Sequence, residues 1–268
     1  MRKINIYIGC AGWLYEDWKG VFYPRGLNTE KYLPYYSKYF NIIEINATFY
    51  NLPTKETVTN WNKRVPLDFQ FIVKIWQEIT HKLNNPDVDY LLAQFFDSLE
   101  PLRDKIYAFL FQFPPWMQYT PKHLDQINYL IKRSSPEYNY LIELRHNSWF
   151  KEDILNQIAD GKRIIIVTSF LSGIYPYYKK NQERYYIRLI GDRQLTVFNK
   201  VQRDNNNQLR DLLKRIENFK NNPNIYEIFI IVNNHYTGFA PETVNSLKKE
   251  LNLPFKSFTQ QKKLSDFL

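Results

Sequence analysis

The sequence predicts an α/β protein folded as a single TIM-like (β/α)8 barrel. Two patterns and the chain length carry that expectation. Eight short apolar, β-branched or aromatic runs stand between turn signals. They are Ile4–Cys10, Ile42–Asn46, Phe69–Lys74, Ile106–Gln112, Tyr140–Arg145, Ile164–Thr168, Tyr185–Ile190 and Ile228–Asn233. Most are nearly continuous rather than alternating, which suits parallel strands covered on both faces. Helical periodicity fills the gaps between them, and strand–helix alternation of this kind closes into a barrel. The length of 268 residues is routine for one such domain.

Each helix has its own signal. Asn85-Pro86 reads as an N-cap and an N1 proline ahead of Val88, Leu91, Leu92, Phe95, Phe96 and Leu99. Thr120-Pro121 repeats the start signal before Leu124, Ile127, Leu130 and Ile131. Pro241 opens a helix with Val244, Leu247 and Leu251 on one face. Tyr32–Phe40, Ile154–Ala159 and Leu209–Phe219 are further helix candidates. Ser169–Arg184, with Gly173 and Pro176, has little periodicity and reads as a long loop after strand 6, on the catalytic side. A doubly wound open sheet is the alternative, but no Gly-rich phosphate loop follows the first strand. Residues 1–252 form the expected barrel and residues 253–268 a C-terminal peptide tail.

Composition excludes several classes. Aromatic residues make up 17% of the chain, so it has ample surface to bury and is not generally disordered. No stretch approaches a membrane span. The single Cys10 and an N-terminus without a signal-peptide h-region point to a cytoplasmic protein. Four histidines and one cysteine argue against a multinuclear zinc site built mainly from His and Cys. The charge of +9 favours anionic partners, or reflects solubility alone.

In such a barrel the site is built at the C-terminal strand ends. There the sequence places Trp13, Glu44, Asn46, Tyr50, Lys74, His81, Gln112, Glu143, Arg145, His146, Trp149, Arg188, Asn233 and Asn234. Glu44 and Asn46 share strand parity, as do Glu143 and Arg145. Two carboxylates, Lys74, Arg145 and Arg188 therefore converge at one mouth. Glu44 and Glu143, with His146, are the catalytic candidates, a Glu serving as general acid or base. The cations would hold an anionic substrate. The competing reading is an internal ion-pair network that fills the barrel. His146 and His235 are candidate ligands for a divalent metal, or plain hydrogen-bonding loop residues. Trp13, Trp18, Trp116 and Trp149 follow strand ends and are candidate stacking platforms, or packing residues.

These segments resemble domain-of-unknown-function family 72, the YecE-like proteins. The matches are Ile8-Gly9-Cys10-Ala11-Gly12-Trp13, Trp18-Lys19-Gly20-Val21-Phe22-Tyr23-Pro24, Glu44-Ile45-Asn46-Ala47-Thr48-Phe49-Tyr50 and Phe71-Ile72-Val73-Lys74 with Thr80-His81. Gln112-Phe113-Pro114-Pro115, Glu143-Leu144-Arg145-His146-Asn147-Ser148-Trp149, Arg188-Leu189-Ile190-Gly191 and Asn233-Asn234 follow in family order. The resemblance implies a TIM-like barrel and supplies no reaction. Two positions depart from the family pattern: Ile190 stands where a histidine is usual, and Thr168 where an aspartate is frequent.

The chain ends Gln261-Lys262-Lys263-Leu264-Ser265-Asp266-Phe267-Leu268. This Gln-x-x-Leu-x-x-Phe-Leu spacing resembles the PCNA-interacting peptide. Leu264, Phe267 and Leu268 would form one apolar plug in a tight helical turn, with Gln261 one turn earlier. The partner implied is a PCNA-type sliding clamp, and DNA with it. The alternative is an amphipathic tail packed on its own barrel. Three functions follow: a DNA-processing or repair-associated hydrolase recruited to the clamp; a metabolic barrel enzyme with Glu acid/base acting on a sugar or phosphorylated small molecule; and a non-catalytic clamp-associated adaptor. The corresponding chemistry is nuclease-like or glycosidase-like hydrolysis.

Overall fold

A computed structural model describes residues 4–82 and 84–258. The tail motif residues Gln261, Leu264, Phe267 and Leu268 lie outside the described residues.

Among the described residues nine parallel strands form one sheet: β1 Asn5–Ala11, β2 Ile42–Ile45, β3 Gln70–Lys74, β4 Ile106–Gln112, β5 Asn139–Glu143, β6 Ile164–Ile166, β7 Thr168–Leu171, β8 Arg184–Gly191 and β9 Glu227–Val232. The hydrogen-bonded order is β6-β5-β4-β3-β2-β1-β9-β8-β7. Each strand pairs with its sequence neighbours except β6 and β7, which are the two edges of the sheet, and β1 pairs with β9. The result is a nearly closed barrel with helices around it.

The expected sixth strand, Ile164–Thr168, is in fact two segments meeting at Val167. The first pairs only with β5 and the second only with β8. The Gln182 side chain explains the offset. Its Oε1 accepts from Ile166 N at 2.6 Å and its Nε2 donates to Ile166 O at 3.3 Å. An amide thus stands in for the missing backbone of β8, and the ladder resumes one step later. The strand consequently runs on to Leu171, and the loop after it starts three residues later than the expected Ser169.

Alternation along the strands separates two cores. Inward residues such as Ile42, Ile72, Leu110, Leu141, Ile165, Tyr186, Phe229 and Ile231 fill the barrel. Outward ones such as Ile43, Phe71, Phe109, Ile142 and Ile230 pack beneath the helices. Thr120 caps the helix Pro121–Arg133, accepting from His123 N at 3.1 Å. The helix expected after Asn85-Pro86 begins instead at Val88, because Asn85 Oδ1 accepts from Asp87 N and holds a turn ahead of it. Tyr32–Tyr36 and Glu152–Leu155 are shorter than their apolar spacing suggested. A helix at Lys55–Lys63 has only Val58 buried, so it shows little apolar stripe in the sequence. Residues 253–258 lie along the barrel: Phe258 meets Phe22 and Phe239 edge-on, and Lys256 Nζ donates to Lys38 O. Among the described residues no helix is long and apolar enough to cross a membrane.

Candidate functional site at the barrel mouth

The inward positions change character at the C-terminal strand ends. Ile42 is followed on the same face by Glu44, Ile72 by Lys74, Leu141 by Glu143, and Tyr186 by Arg188. The charged layer therefore rests on an apolar one. Glu44 and Glu143 are fully buried, while Lys74, Arg145 and Arg188 are 5%, 7% and 3% exposed.

Arg188 is the hub. Its Nε and Nη2 donate to the two oxygens of Glu44 at 2.8 and 2.6 Å, and its Nη1 donates to Glu143 at 2.5 Å. Tyr186 adds a hydroxyl to Glu44 at 2.8 Å. Glu143 also accepts from Arg145 Nη2 at 3.2 Å and from Ser169 Oγ at 2.8 Å. Burial pushes the Glu143 carboxyl up, but Arg145, Arg188, Lys74 and the Ser169 hydroxyl outweigh it and hold it at about 2. The Arg188 guanidinium loses solvation yet is held charged by both glutamates.

Above this layer lies a recess of about 250 Å³ lined by Tyr15, Asn46, Tyr50, Lys74, Arg145, Arg188, Ile190, Arg193, Phe198, Asn233, Asn234 and His235. Neither glutamate lines it. Four cations do, and the Arg145 Nε is buried with no hydrogen-bond partner among the described residues. Arg145 and Arg193 also line an adjoining cleft of about 550 Å³ with His146 and Asn147.

Lys74 differs from the arginines. Its Nζ sits 3.6 Å from the centroid of Phe49. Among the described residues no carboxylate lies within ion-pair distance of it, both glutamates being taken by arginine. Burial first, then Arg188 and Arg145, lower its pKa to about 7. His81 packs edge-on to Phe49 and is lowered to about 4 by burial, Lys74 and Arg145.

Several sequence candidates fall elsewhere. Trp13 is 5% exposed and packs edge-on to Trp61; Trp149 is fully buried and donates to Met117 O. Trp18 is likewise buried and donates to Asn234 Oδ1. Rings with no open face offer no stacking platform, so these three are packing residues. Trp116 alone of the four is open, at 60% exposure. Gln112 turns back onto Phe113 O and is 2% exposed. His146 caps the turn at Asn147–Trp149 by accepting from Ser148 N. His81 faces a separate groove with Lys82, Trp116 and His123. Among the described residues no group of three or more His, Cys, Asp and Glu is placed to hold a metal ion, so His146 and His235 are not joined by further ligands. Thr168 donates to Tyr177 O and faces outward; the inward group of that strand is Ser169.

Sequence reasoning missed Arg193 and Phe198. Both sit on the loop that leaves β8 at Gly191. That glycine has φ +80, and a Cβ there would lie 2.3 Å from His235 O. Arg193 itself has φ 62, unusual for a residue with a side chain. Phe198 is fixed by a hydrogen bond from its N–H to Asp17 and by edge contacts with Tyr15 and His235. The Gly191-Asp192 pair was the one available signal of a turn there.

Among known proteins, the chain is 32% identical over 158 residues to the UPF0759 protein YunF of Bacillus subtilis, covering 57% of this chain and 55% of YunF. It is 30% identical over 156 residues to the UPF0759 protein YecE of Escherichia coli, covering 57% and 54%. The chain thus matches about half the length of these curated relatives. A crystal structure of a DUF72 family protein, TM1631 of Thermotoga maritima, superposes with a TM-score of 0.77 at 25% identity, over 92% of this chain and 99% of that one. The DUF72 family protein EF0366 of Enterococcus faecalis superposes at 0.75 and 21% identity, over 96% and 99%. The family model described as "Protein of unknown function DUF72" matches residues 7–266. With that match across nearly its whole length, the chain belongs to the DUF72 family.

Proposed function

We propose that the barrel mouth is the active site of an enzyme acting on a small anionic molecule that carries a phosphate or carboxylate. One observation carries this reading: Lys74, Arg145, Arg188 and Arg193 line a recess that no glutamate reaches. The two buried carboxylates offset Arg145 and Arg188, and Arg193 together with the protonated fraction of Lys74 leaves an excess of positive charge facing the recess. The Arg145 Nε adds a donor that lacks a partner among the described residues, and a buried unpaired donor is costly unless something binds it.

The two glutamates serve this site from below. With every oxygen already accepting from arginine, tyrosine or serine, and Glu143 held near 2, they orient the guanidinium groups rather than transfer protons. Lys74, lowered to about 7, is a group of the recess whose proton is free to move near neutral pH. The metabolic-enzyme reading therefore stands with its acid/base role moved from glutamate to lysine.

The recess is smaller than typical drug-sized pockets of roughly 300 Å³ and above, which favours a small metabolite over a nucleic-acid strand. Processing of DNA at a sliding clamp is supported by the charge of +9 and by the spacing of Gln261, Leu264, Phe267 and Leu268. Isothermal titration separates the two. Inorganic phosphate should bind, and Arg145→Gln should weaken that binding by roughly tenfold, the loss of one charge-assisted pair. Absence of phosphate binding, with tight salt-dependent binding of a single-stranded oligonucleotide, would overturn the small-anion reading.

A further inference from the structure

Lys74 is placed as few surface lysines are. The strand carries its side chain inward beside the recess, and Thr48 Oγ1 fixes its backbone by donating to Lys74 O at 2.6 Å. The Phe49 face covers one side of Nζ, and Ile190 adds an apolar wall to the recess. The nearby carboxylates are committed to Arg188 and Arg145. A lysine paired with a carboxylate is locked as an ammonium ion; one desolvated beside other cations becomes a nucleophile.

We propose that Lys74 forms an imine with the carbonyl carbon of a small anionic aldehyde or ketone whose phosphate or carboxylate is held by Arg145 and Arg193. This assignment rests on the small-anion reading above. The bookkeeping of atoms closes without a further reactant. The neutral Nζ attacks the carbonyl carbon, and a C–N bond forms as the carbonyl π pair moves to oxygen. The two amine hydrogens pass to that oxygen, which leaves as water, and the C=N bond remains. Nothing is oxidised or reduced in this step. Burial and the flanking guanidinium groups outweigh Glu143, Glu44 and the Phe49 face, which favour the ammonium, and leave about half of the amine neutral near pH 7; the same guanidinium groups stabilise charge developing on the carbonyl oxygen.

Trapping tests it. The full chain is incubated with glyoxylate, or in a parallel arm with glycolaldehyde phosphate, in the presence of cyanoborohydride, and modified lysines are mapped by peptide mass spectrometry. Phosphate binding is measured on the same preparation. The expected result is modification of Lys74 on the order of tenfold faster than of exposed lysines, because its unprotonated fraction is far larger. Inorganic phosphate should suppress it, and K74R should lose it. The arm that labels more readily distinguishes a carboxylate from a phosphate substrate. Labelling spread evenly over surface lysines while phosphate still binds overturns the imine and leaves the anion site standing. Failure to bind phosphate overturns the anion site, and labelling of Lys74 that phosphate does not slow overturns the roles of Arg145 and Arg193.

Discussion

The two ends of the barrel hold polar clusters built to different rules. At the N-terminal end Tyr107 donates to Glu227 at 2.5 Å and accepts from Arg184 at 2.9 Å. One cation meets one anion there. The Arg184 Nε has no hydrogen-bond partner among the described residues, but the guanidinium lies near the rings of Tyr107 and Tyr226. At the C-terminal end Arg145 and Arg188 balance two carboxylates, and the partly protonated Lys74 and the exposed Arg193 add positive charge that opens into a recess. A cluster that only closes a barrel needs balance, because an uncompensated charge in a low dielectric is expensive. Imbalance persists where a ligand of opposite sign restores it. The lower cluster is thus read as a plug and the upper one as a site.

The largest effect expected is on Arg188. Replacing it with Met leaves Glu44 and Glu143 buried without their main partner and should cost about 3–5 kcal/mol of unfolding free energy, measured by urea titration. The equivalent Arg184→Met should cost less, roughly 1–3 kcal/mol, since Glu227 is only partly buried and keeps Tyr107. Equal losses at the two ends would erase the distinction drawn between them.

Acid should find the same asymmetry. Glu143 is held at about 2, below its ordinary 4.5, so the folded chain releases this proton more readily than the unfolded one. Its contribution is complete above pH 5 and is lost as pH falls towards 2. The expected loss is on the order of 3 kcal/mol by linkage. Denaturant titrations across that window should show a steep slope for the wild type and a shallower one for Glu143→Gln.

The barrel was legible because its strands are continuous apolar runs broken only at their ends, and those breaks also revealed Glu44, Lys74, Glu143, Arg145 and Arg188. What the sequence could not show was which carboxylate meets which guanidinium. Parity says that Glu143 and Arg145 point inward; it does not say that Arg188 saturates both glutamates and so leaves Lys74 alone. For Trp13 and Trp149 the sequence left packing and stacking open for a related reason. A tryptophan just past a strand end is equally well placed to face the mouth or to fold back under a helix, and Trp149 found Met117 O. Arg193 was hidden because its position depends on a left-handed backbone after Gly191, which leaves no periodic trace.

Lys74 tests whether the upper cluster gives up stability for reactivity. Its pKa is lowered to about 7 from an ordinary 10.5, so the fold disfavours the charged form. The unfolded chain binds the proton more tightly between pH 7 and 10.5, and stability from this group should rise with pH across that interval. Arg188, Arg145, Glu143, Glu44 and His81 are the charged or titratable groups that face it. Lys74→Met removes the penalty and keeps the contact with Phe49. It should raise the stability by about 0.5–2 kcal/mol at pH 7 and abolish imine trapping. A variant less stable than the wild type at pH 7 would mean that the lysine is a structural partner after all.

Arg193 gives the smallest and most selective effect. It is exposed, and it holds φ 62, a region that costs a residue with a Cβ about 1–2 kcal/mol. Glycine at this position removes that strain but adds freedom to the unfolded chain, so the net change in stability should lie within about 1 kcal/mol of zero. The anion site should respond differently. Arg193 lines both the recess and the adjoining cleft, and its loss removes one of the four cations without touching the buried ladder of Arg188 and the glutamates. Phosphate affinity in Arg193→Gly should therefore fall, by roughly tenfold or less for a solvent-exposed charge, while the acid transition of Glu143 keeps its midpoint. Calorimetry and denaturant titration on the same variant read both. If phosphate affinity is unchanged, Arg193 is only the hinge of its loop, and the strained backbone serves Phe198 and the wall of the recess instead of the ligand.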